Sequence, residues 1–128
     1  VIRTVRLNHP GGACGYRFDF TGKSICIITD HEHGNPEIDA NVRRFVEDAD
    51  VMIYDAMFTD EEYPNFEVWG HSTWEKAVAL ARDANVKTPV LFHHDPCRSD
   101  DDLDEIGVAA QSAYPGTLVA SEGMILKP

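Results

Sequence analysis

The chain begins with a β-hairpin pattern and then alternates short apolar runs with amphipathic segments of helical period. Residues 1–7 alternate loosely as a strand, residues 16–20 alternate aromatic with charged side chains, and residues 24–29 contain an unbroken apolar run. The turn residues Thr21-Gly22-Lys23 join the last two into a hairpin. Three helical patterns separated by buried strands follow, which is typical of an α/β fold. We therefore expect residues 1–128 to form one unit with helices packed on a mixed sheet.

Local signals predict where each helix begins. Asn35-Pro36 reads as a cap followed by proline in the first helical position. Ser72-Thr-Trp-Glu75 and the segment Ser99–Asp102 each have capping-box spacing. The predicted strands between and after these helices are Val51–Tyr54, Pro89–Phe92, Leu118–Ala120 and Met124–Leu126.

Composition limits the partners and the compartment. Acidic residues outnumber basic ones by 22 to 11, for a net charge of −11. Such a surface repels nucleic-acid backbones and anionic membranes, so neither is an expected partner. No apolar run approaches the roughly 20 residues of a membrane span. The odd, widely spaced Cys14, Cys26 and Cys97 indicate free thiols in a reducing cytoplasm, with Cys26 as core filler.

Four side chains suited to metal binding or proton transfer stand where a strand or helix begins or ends. They are His9 after the first strand, Asp55 after strand 51–54, His71 ahead of a helix and His93 after strand 89–92. Because ligands of α/β sheets bind at the carboxyl ends of strands, these residues are expected to converge. Imidazole and carboxylate ligands suit zinc, manganese or iron, and a carboxylate can bridge two ions.

Each of these residues also has a structural interpretation when it is taken alone. His9 could shape its loop, Asp55 could bond the following turn, and His71 could be a surface residue. Asp30-His-Glu-His33 is a competing cluster, because His-x-His is a metal-like spacing. We expect that segment to be a solvent-facing loop in which Asp30 turns inward and orients a ligand histidine.

Several segments together resemble the metallo-β-lactamase superfamily of metal-dependent hydrolases. The likeness is to its phosphodiesterase branch, which includes cyclic phosphodiesterases and tRNA 3′-processing endonucleases. The segments that carry it are Asn8-His-Pro10, Gly15-Tyr-Arg17, Asp50–Asp55, Gly70-His-Ser-Thr73, Leu91-Phe-His93 and Ala120–Met124. The resemblance implies an αββα sandwich built from two similar halves.

The resemblance also implies a mechanism. His9, Asp55 and His93 (chosen over His94 from the likeness) would bind two divalent transition-metal ions, zinc, manganese or iron, with Asp55 bridging them. The metals would supply hydroxide as the nucleophile, and His71 would protonate the leaving oxygen. A helix start lowers the pKa of a nearby histidine, so that role needs a carboxylate beside His71.

One departure from the family is large. Its main metal motif, His-x-His-x-Asp-His, is absent, so the chain resembles the C-terminal half only. We expect partial or no metal occupancy and little hydrolysis by these 128 residues alone. Half a sandwich would expose an apolar sheet face, which the missing N-terminal half or a second copy is expected to cover.

The substrate and two other classes of function stay open. The acidic charge and the Gly-His-Ser-Thr likeness favour a small phosphodiester, such as a cyclic nucleotide or a sugar phosphate. One alternative is a non-catalytic interaction module that keeps the scaffold without the main metal motif. The other is a structural α/β domain whose histidines are incidental.

Overall fold

Six strands form one mixed sheet in chain order in the computed structural model, which describes all 128 residues. The strands are β1 (Ile2–Leu7), β2 (Ala13–Phe20), β3 (Lys23–Ile28), β4 (Val51–Asp55), β5 (Thr88–Phe92) and β6 (Leu118–Val119). Strands β1 to β3 pair antiparallel, whereas β3 to β6 pair parallel. The predicted hairpin and the α/β class are therefore confirmed.

Three helices connect the parallel strands. They are α1 (Pro36–Val46), α2 (Trp74–Asp83) and α3 (Asp100–Ala113). None of them combines the length and apolar character that a membrane crossing requires. The only other helical segment is a short 3₁₀ turn, Tyr63–Asn65, inside the long loop between β4 and α2.

The helix caps agree with two of the three predictions. Asn35 caps α1 by accepting a hydrogen bond from the Ile38 amide, and Ser99 forms the expected capping box with Asp102. The predicted box at Ser72 is wrong, because α2 is capped one residue later by Thr73, which accepts from the Lys76 amide. The Ser72 hydroxyl instead lies 2.8 Å from Nδ1 of His33.

The helices cover one face of the sheet and form the core there. The sheet contributes Leu7, Cys26, Ile28, Met52, Tyr54 and Leu91, and the helices contribute Val42, Val46, Ala77, Val78, Ala81 and Ala110. Each large aliphatic side chain buried in this way contributes roughly 1.5–3 kcal/mol to stability. Cys26 lies in this core, as expected.

The opposite face of the sheet, which we call the open sheet face, is apolar and has no helix packed on it. Strand register and alternation assign to it Ile2, Tyr16, Phe18, Phe20, Ile25, Ile27, Val51, Ile53, Val90, Phe92 and Leu118. Tyr16, Phe20 and Phe92 are each close to half exposed. The face is therefore apolar, as expected, but only part of it is exposed, since Val51 and Val90 are buried.

One predicted strand is wrong. Residues 124–126 form no strand, although Met-Ile-Leu is apolar. Gly123 has a φ of +79°, and the Met124 amide donates to the Ser121 carbonyl, so a turn separates this segment from β6. Ile125 is largely exposed as a result.

Candidate metal centre

Three imidazoles and two carboxylates meet at the carboxyl edge of the parallel strands. Nε2 of His93 lies 3.5 Å from Oδ1 of Asp30, and Nε2 of His9 lies 4.0 Å from the same oxygen. The His71 ring stacks on that of His93 with 4.7 Å between centroids. Nδ1 of His71 lies 2.8 Å from Oδ2 of Asp55. All four residues singled out from the sequence are thus close together, with Asp30 among them.

Strained backbone at the ends of β3 and β5 helps to build this edge. Asp30 has a φ of +58° and His93 a φ of +59°, both in the left-handed region. A residue with a Cβ in this region costs of order 1–3 kcal/mol, and such residues cluster at functional sites. Each lies one or two residues beyond its strand, so the chain turns sharply where its side chain faces the site.

Hydrogen bonds within the protein occupy the carboxylate of Asp55. It is fully buried, and it accepts from the amides of Asp30 at 3.0 Å and Ser72 at 3.1 Å. It also accepts weaker bonds from the amides of His31 and Met57. The hydrogen bond with Asp55 raises the pKa of His71 above its ordinary value. His71 therefore has the neighbouring carboxylate that the sequence argument required.

Asp30 differs from Asp55 in its exposure and in its hydrogen bonding. Its side chain is 44% exposed, and its carboxylate accepts no hydrogen bond from the protein. It faces His9 and His93 across the mouth of the site. Asp30 thus offers free carboxylate oxygens beside two imidazoles, which is the chemistry of a metal ligand.

The arrangement fits a divalent transition-metal ion on three observations. His9, Asp30 and His71 bring one ligand atom each within 4.8 Å of one another, and so do Asp55, His71 and His93. Nδ1 of His93 is buried without a hydrogen-bond partner, which costs about 1–3 kcal/mol unless a ligand compensates. Imidazole and carboxylate donors together favour zinc, manganese or iron.

Comparison with known proteins identifies the family. Residues 3–94 match the family described as the beta-lactamase superfamily domain. The chain belongs to the metallo-β-lactamase superfamily. Ribonuclease Z of Gemmatimonas aurantiaca is 36% identical to it over 77 residues, which are 60% of this chain and 24% of the relative. The matched part of the chain is similar to ribonuclease Z, and the chain spans about a quarter of that relative's length.

Solved structures of the superfamily fold share the same architecture. The metallo-β-lactamase fold protein YhfI of Bacillus subtilis superposes with a TM-score of 0.74 at 17% identity, covering 98% of this chain and 49% of YhfI. Zn²⁺-bound PqqB of Methylobacterium extorquens superposes with a TM-score of 0.65 at 18% identity, covering 100% of this chain and 50% of PqqB. The likeness to these superfamily structures shows the fold.

The expectation that His31 and His33 lie in a solvent-facing loop is wrong for this superfamily member. His31 is 1% exposed, and its Nδ1 accepts from the Asn8 amide. Burial lowers the pKa of His31 to about 4. His33 is partly buried against the ring of Tyr63. Neither histidine belongs to the two groups that could hold a metal ion. Their ring nitrogens lie within hydrogen-bond distance of the Asn8 amide and the Ser72 hydroxyl.

Sequence reasoning missed two residues that shape this candidate metal centre. Gly70 has a φ of +94°, and a Cβ there would lie 2.3 Å from Cδ2 of His9, so its backbone packs directly on that imidazole. Glu32 is buried and accepts hydrogen bonds from the loop that precedes His71. The glycine in Gly70-His-Ser-Thr73 was a signal of close approach, whereas Glu32 had no local signal.

Proposed function

We propose that this chain is the C-terminal half of a metal-dependent hydrolase that cleaves small phosphodiesters. The observation that carries the proposal is the pairing of His71 with the fully buried Asp55, beside a free carboxylate, Asp30, that faces His9 and His93. A non-catalytic module or a structural domain has no need for a free carboxylate among three imidazoles. The family membership supports the hydrolase class.

In this proposal the two carboxylates have different tasks. Asp55 was expected from the resemblance to bridge the metals, and Asp30 to orient a ligand. The hydrogen bonds favour the reverse assignment, since the oxygens of Asp55 are occupied by amides and by His71, and those of Asp30 are free. We therefore assign metal binding to Asp30 with His9 and His93, whose Nε2 atoms lie 4.0 Å and 3.5 Å from its Oδ1. His71 belongs to both groups of possible ligands, but its Nδ1 is bound to Asp55, and we assign Asp55 to holding it.

Zinc, manganese or iron ions bound at this edge would act as Lewis acids and would activate water for attack at neutral pH. Zinc is the metal bound by PqqB, which has the same fold. Asp55 accepts a hydrogen bond from Nδ1 of His71, so Nε2 of the same ring points away from the carboxylate. His71 is then oriented to donate a proton from Nε2 to the leaving oxygen of a substrate.

A polar cavity beside His9 supports a small substrate. Its volume is about 690 Å³, and it is lined in part by Asn8, His33 and Tyr63. Two carboxylates, Glu32 and Glu67, line it, and no lysine or arginine does. A lining that can hydrogen-bond but carries no cation suits the hydroxyl-rich part of a cyclic nucleotide or a sugar phosphate. It does not suit a polyanionic chain, whose phosphates need cations.

RNA is the second candidate substrate. It is favoured by the similarity to ribonuclease Z. The net charge of −11 opposes it, because binding a nucleic-acid backbone depends on lysine and arginine neutralising phosphates.

We further propose that the open sheet face is covered by an N-terminal half that carries His-x-His-x-Asp-His, or by a second copy of this chain. The chain covers about half of YhfI and of PqqB, which supports a second half of similar size. Apolar patches of this kind mark contact surfaces in soluble proteins.

The test compares these 128 residues with the same protein extended by the sequence encoded upstream of Val1. Both are loaded with Zn²⁺ or Mn²⁺ and assayed on bis(p-nitrophenyl) phosphate, cyclic AMP and a tRNA precursor. We expect the extended protein to cleave the first two and the 128 residues alone to show weak metal binding and little turnover. A metal-loaded extended protein that cleaves no phosphodiester would contradict the proposal.

A further inference from the structure

Glu32 is a buried carboxylate that binds a loop and not a cation. One oxygen accepts from the Tyr63 hydroxyl and from the Val68 amide, each at 2.7 Å, and the other accepts from the Gly70 amide at 2.9 Å. The residue is 6% exposed, and no basic side chain pairs with it. Hydrogen bonds to a charged group are about twice as strong as neutral ones, so they compensate its burial.

Glu32 binds an exposed stretch of the loop that runs from the end of β4 to the start of α2. Elsewhere this loop is held by the buried Phe58 and by the ion pair of Glu62 with Arg98. Val68 is 79% exposed and Trp69 is 59% exposed, and the Trp69 ring packs edge-on against Phe66. The amides of Val68 and Gly70, on either side of this exposed stretch, both donate to Glu32.

Glu32 is itself fixed on the side of the metal-facing residues. Its amide donates to the Asn8 carbonyl at 2.8 Å, and its carbonyl accepts from the Asn8 side chain at 3.0 Å. Asn8 precedes His9, and Glu32 follows Asp30 by two residues. The carboxylate therefore connects the segments of two metal-facing residues to the loop that ends at His71.

The backbone of Gly70 has little room to move. A Cβ at Gly70 would collide with the His9 ring, and the Gly70 amide is one of the two amides that donate to Glu32. His71 is the next residue, so its position depends on the Gly70 backbone. A displacement of about 1 Å at a reacting group can lower a rate about 100-fold.

We propose that Glu32 is a positioning residue that sets His71 over the metal-facing side chains by fixing the backbone of residues 68–70. Glu32 itself contacts neither metal nor reacting atoms in this scheme. The effect on catalysis rests on the function proposed above, whereas the effect on the loop does not.

The experiment compares Glu32→Gln with the matched control Glu61→Gln in the extended protein loaded with Zn²⁺. Glutamine has one acceptor oxygen and places an amino group against one of the donors. Glu61 is an exposed carboxylate in the same loop and makes no hydrogen bond or ion pair. The measurements are residue-resolved amide hydrogen exchange, zinc content, and kcat and KM on bis(p-nitrophenyl) phosphate.

We expect exchange at Val68 and Gly70 to rise at least about tenfold in Glu32→Gln, with β4 and β5 unchanged. Zinc content should stay the same and kcat should fall about 10- to 100-fold. KM should change by a smaller factor than kcat, although Glu32 lines the polar cavity beside His9. Glu61→Gln should match the wild type. Unchanged exchange at Val68 and Gly70, or an equal rise throughout β4 and β5, would overturn the positioning role.

Two further results keep the outcomes distinct. If Glu32→Gln does not fold, Tyr63→Phe removes a single donor and should still raise exchange at Val68 and Gly70 a few-fold, about the effect of one hydrogen bond. No rise there would overturn the inference. If the wild type hydrolyses no phosphodiester, the proposed function fails, while the exchange data still decide whether Glu32 fixes the loop.

Discussion

Nδ1 of His71 lies 2.8 Å from Oδ2 of Asp55, and that carboxylate has no exposure to solvent. A buried carboxylate is stable only when it is fully hydrogen-bonded, and amide donors complete its shell here. The pair therefore presents the other nitrogen of His71 to the mouth of the site. In the proposed mechanism, this relationship distinguishes His71, which would transfer a proton, from His9 and His93, which would bind metal.

His71→Ala in the extended, metal-loaded protein should lower turnover by about 100- to 10,000-fold, because a general acid contributes that much. Metal content should be unchanged, which elemental analysis of the purified protein would measure. His94→Gln is the matched control, since its side chain can keep a bond to the Ala120 carbonyl outside the site. Loss of metal in His71→Ala would refute the assignment.

Gly70→Ala should weaken metal binding, because the new Cβ would collide with the His9 ring. The positive φ adds a cost of about 1 kcal/mol to folding. Gly22 also has a positive φ, of +76°, and no atom lies within 4 Å of the Cβ that Gly22→Ala would add, so this variant isolates the backbone cost. Competition with a chromophoric zinc chelator should show a weaker site in Gly70→Ala alone; equal zinc affinities would contradict the contact.

Asp50 should make the fold sensitive to acid. Lys87 donates to its carboxylate at 2.8 Å and the Ser24 amide at 2.9 Å, and these bonds hold the pKa of Asp50 far below its ordinary value. Its stabilisation is therefore complete above the unfolded pKa of about 4 and is lost as the pH falls towards the folded pKa.

Asp50→Asn should accordingly lower the free energy of unfolding by about 1–3 kcal/mol at pH 7, and the deficit should narrow below about pH 4. Urea unfolding of both proteins at pH 7 and pH 3 measures this. A deficit of the same size at both values would show that the ionised carboxylate is not responsible.

The open sheet face should make these 128 residues associate when they are purified alone. Tyr16 and Phe20 lie on it, each 44% exposed. Replacing both with serine should shift the chain towards the monomer in light scattering, with little loss of stability, since neither belongs to the core. A wild-type chain that stays monomeric and binds no hydrophobic dye would contradict the need for a covering partner.

Local signals predicted the parts of the fold that depend on nearby residues. The hairpin around Gly22 and the caps at Asn35 and Ser99 depend on contacts within a few residues, and the structure has them. Ser72 also had a capping signal, but the hydrogen bond of its hydroxyl with His33, 39 residues away, decided its position.

The tasks of the carboxylates could not be predicted for the same reason. Asp30 and Asp55 both follow apolar strands, and nothing in the local sequence distinguishes them. The difference comes from the Ser72 amide and the His71 ring, which arrive from a loop 16 or 17 residues further along the chain. Likewise, the buried His31 accepts a hydrogen bond from the amide of Asn8, which lies in the connection between β1 and β2.

The central claim is that Asp30 binds metal and Asp55 does not. The direct test is the zinc content and zinc affinity of Asp30→Asn and Asp55→Asn, measured beside the wild type in the extended protein. We predict that Asp30→Asn loses zinc, and that Asp55→Asn keeps wild-type zinc while losing turnover. Zinc retained in Asp30→Asn and lost in Asp55→Asn would contradict the account.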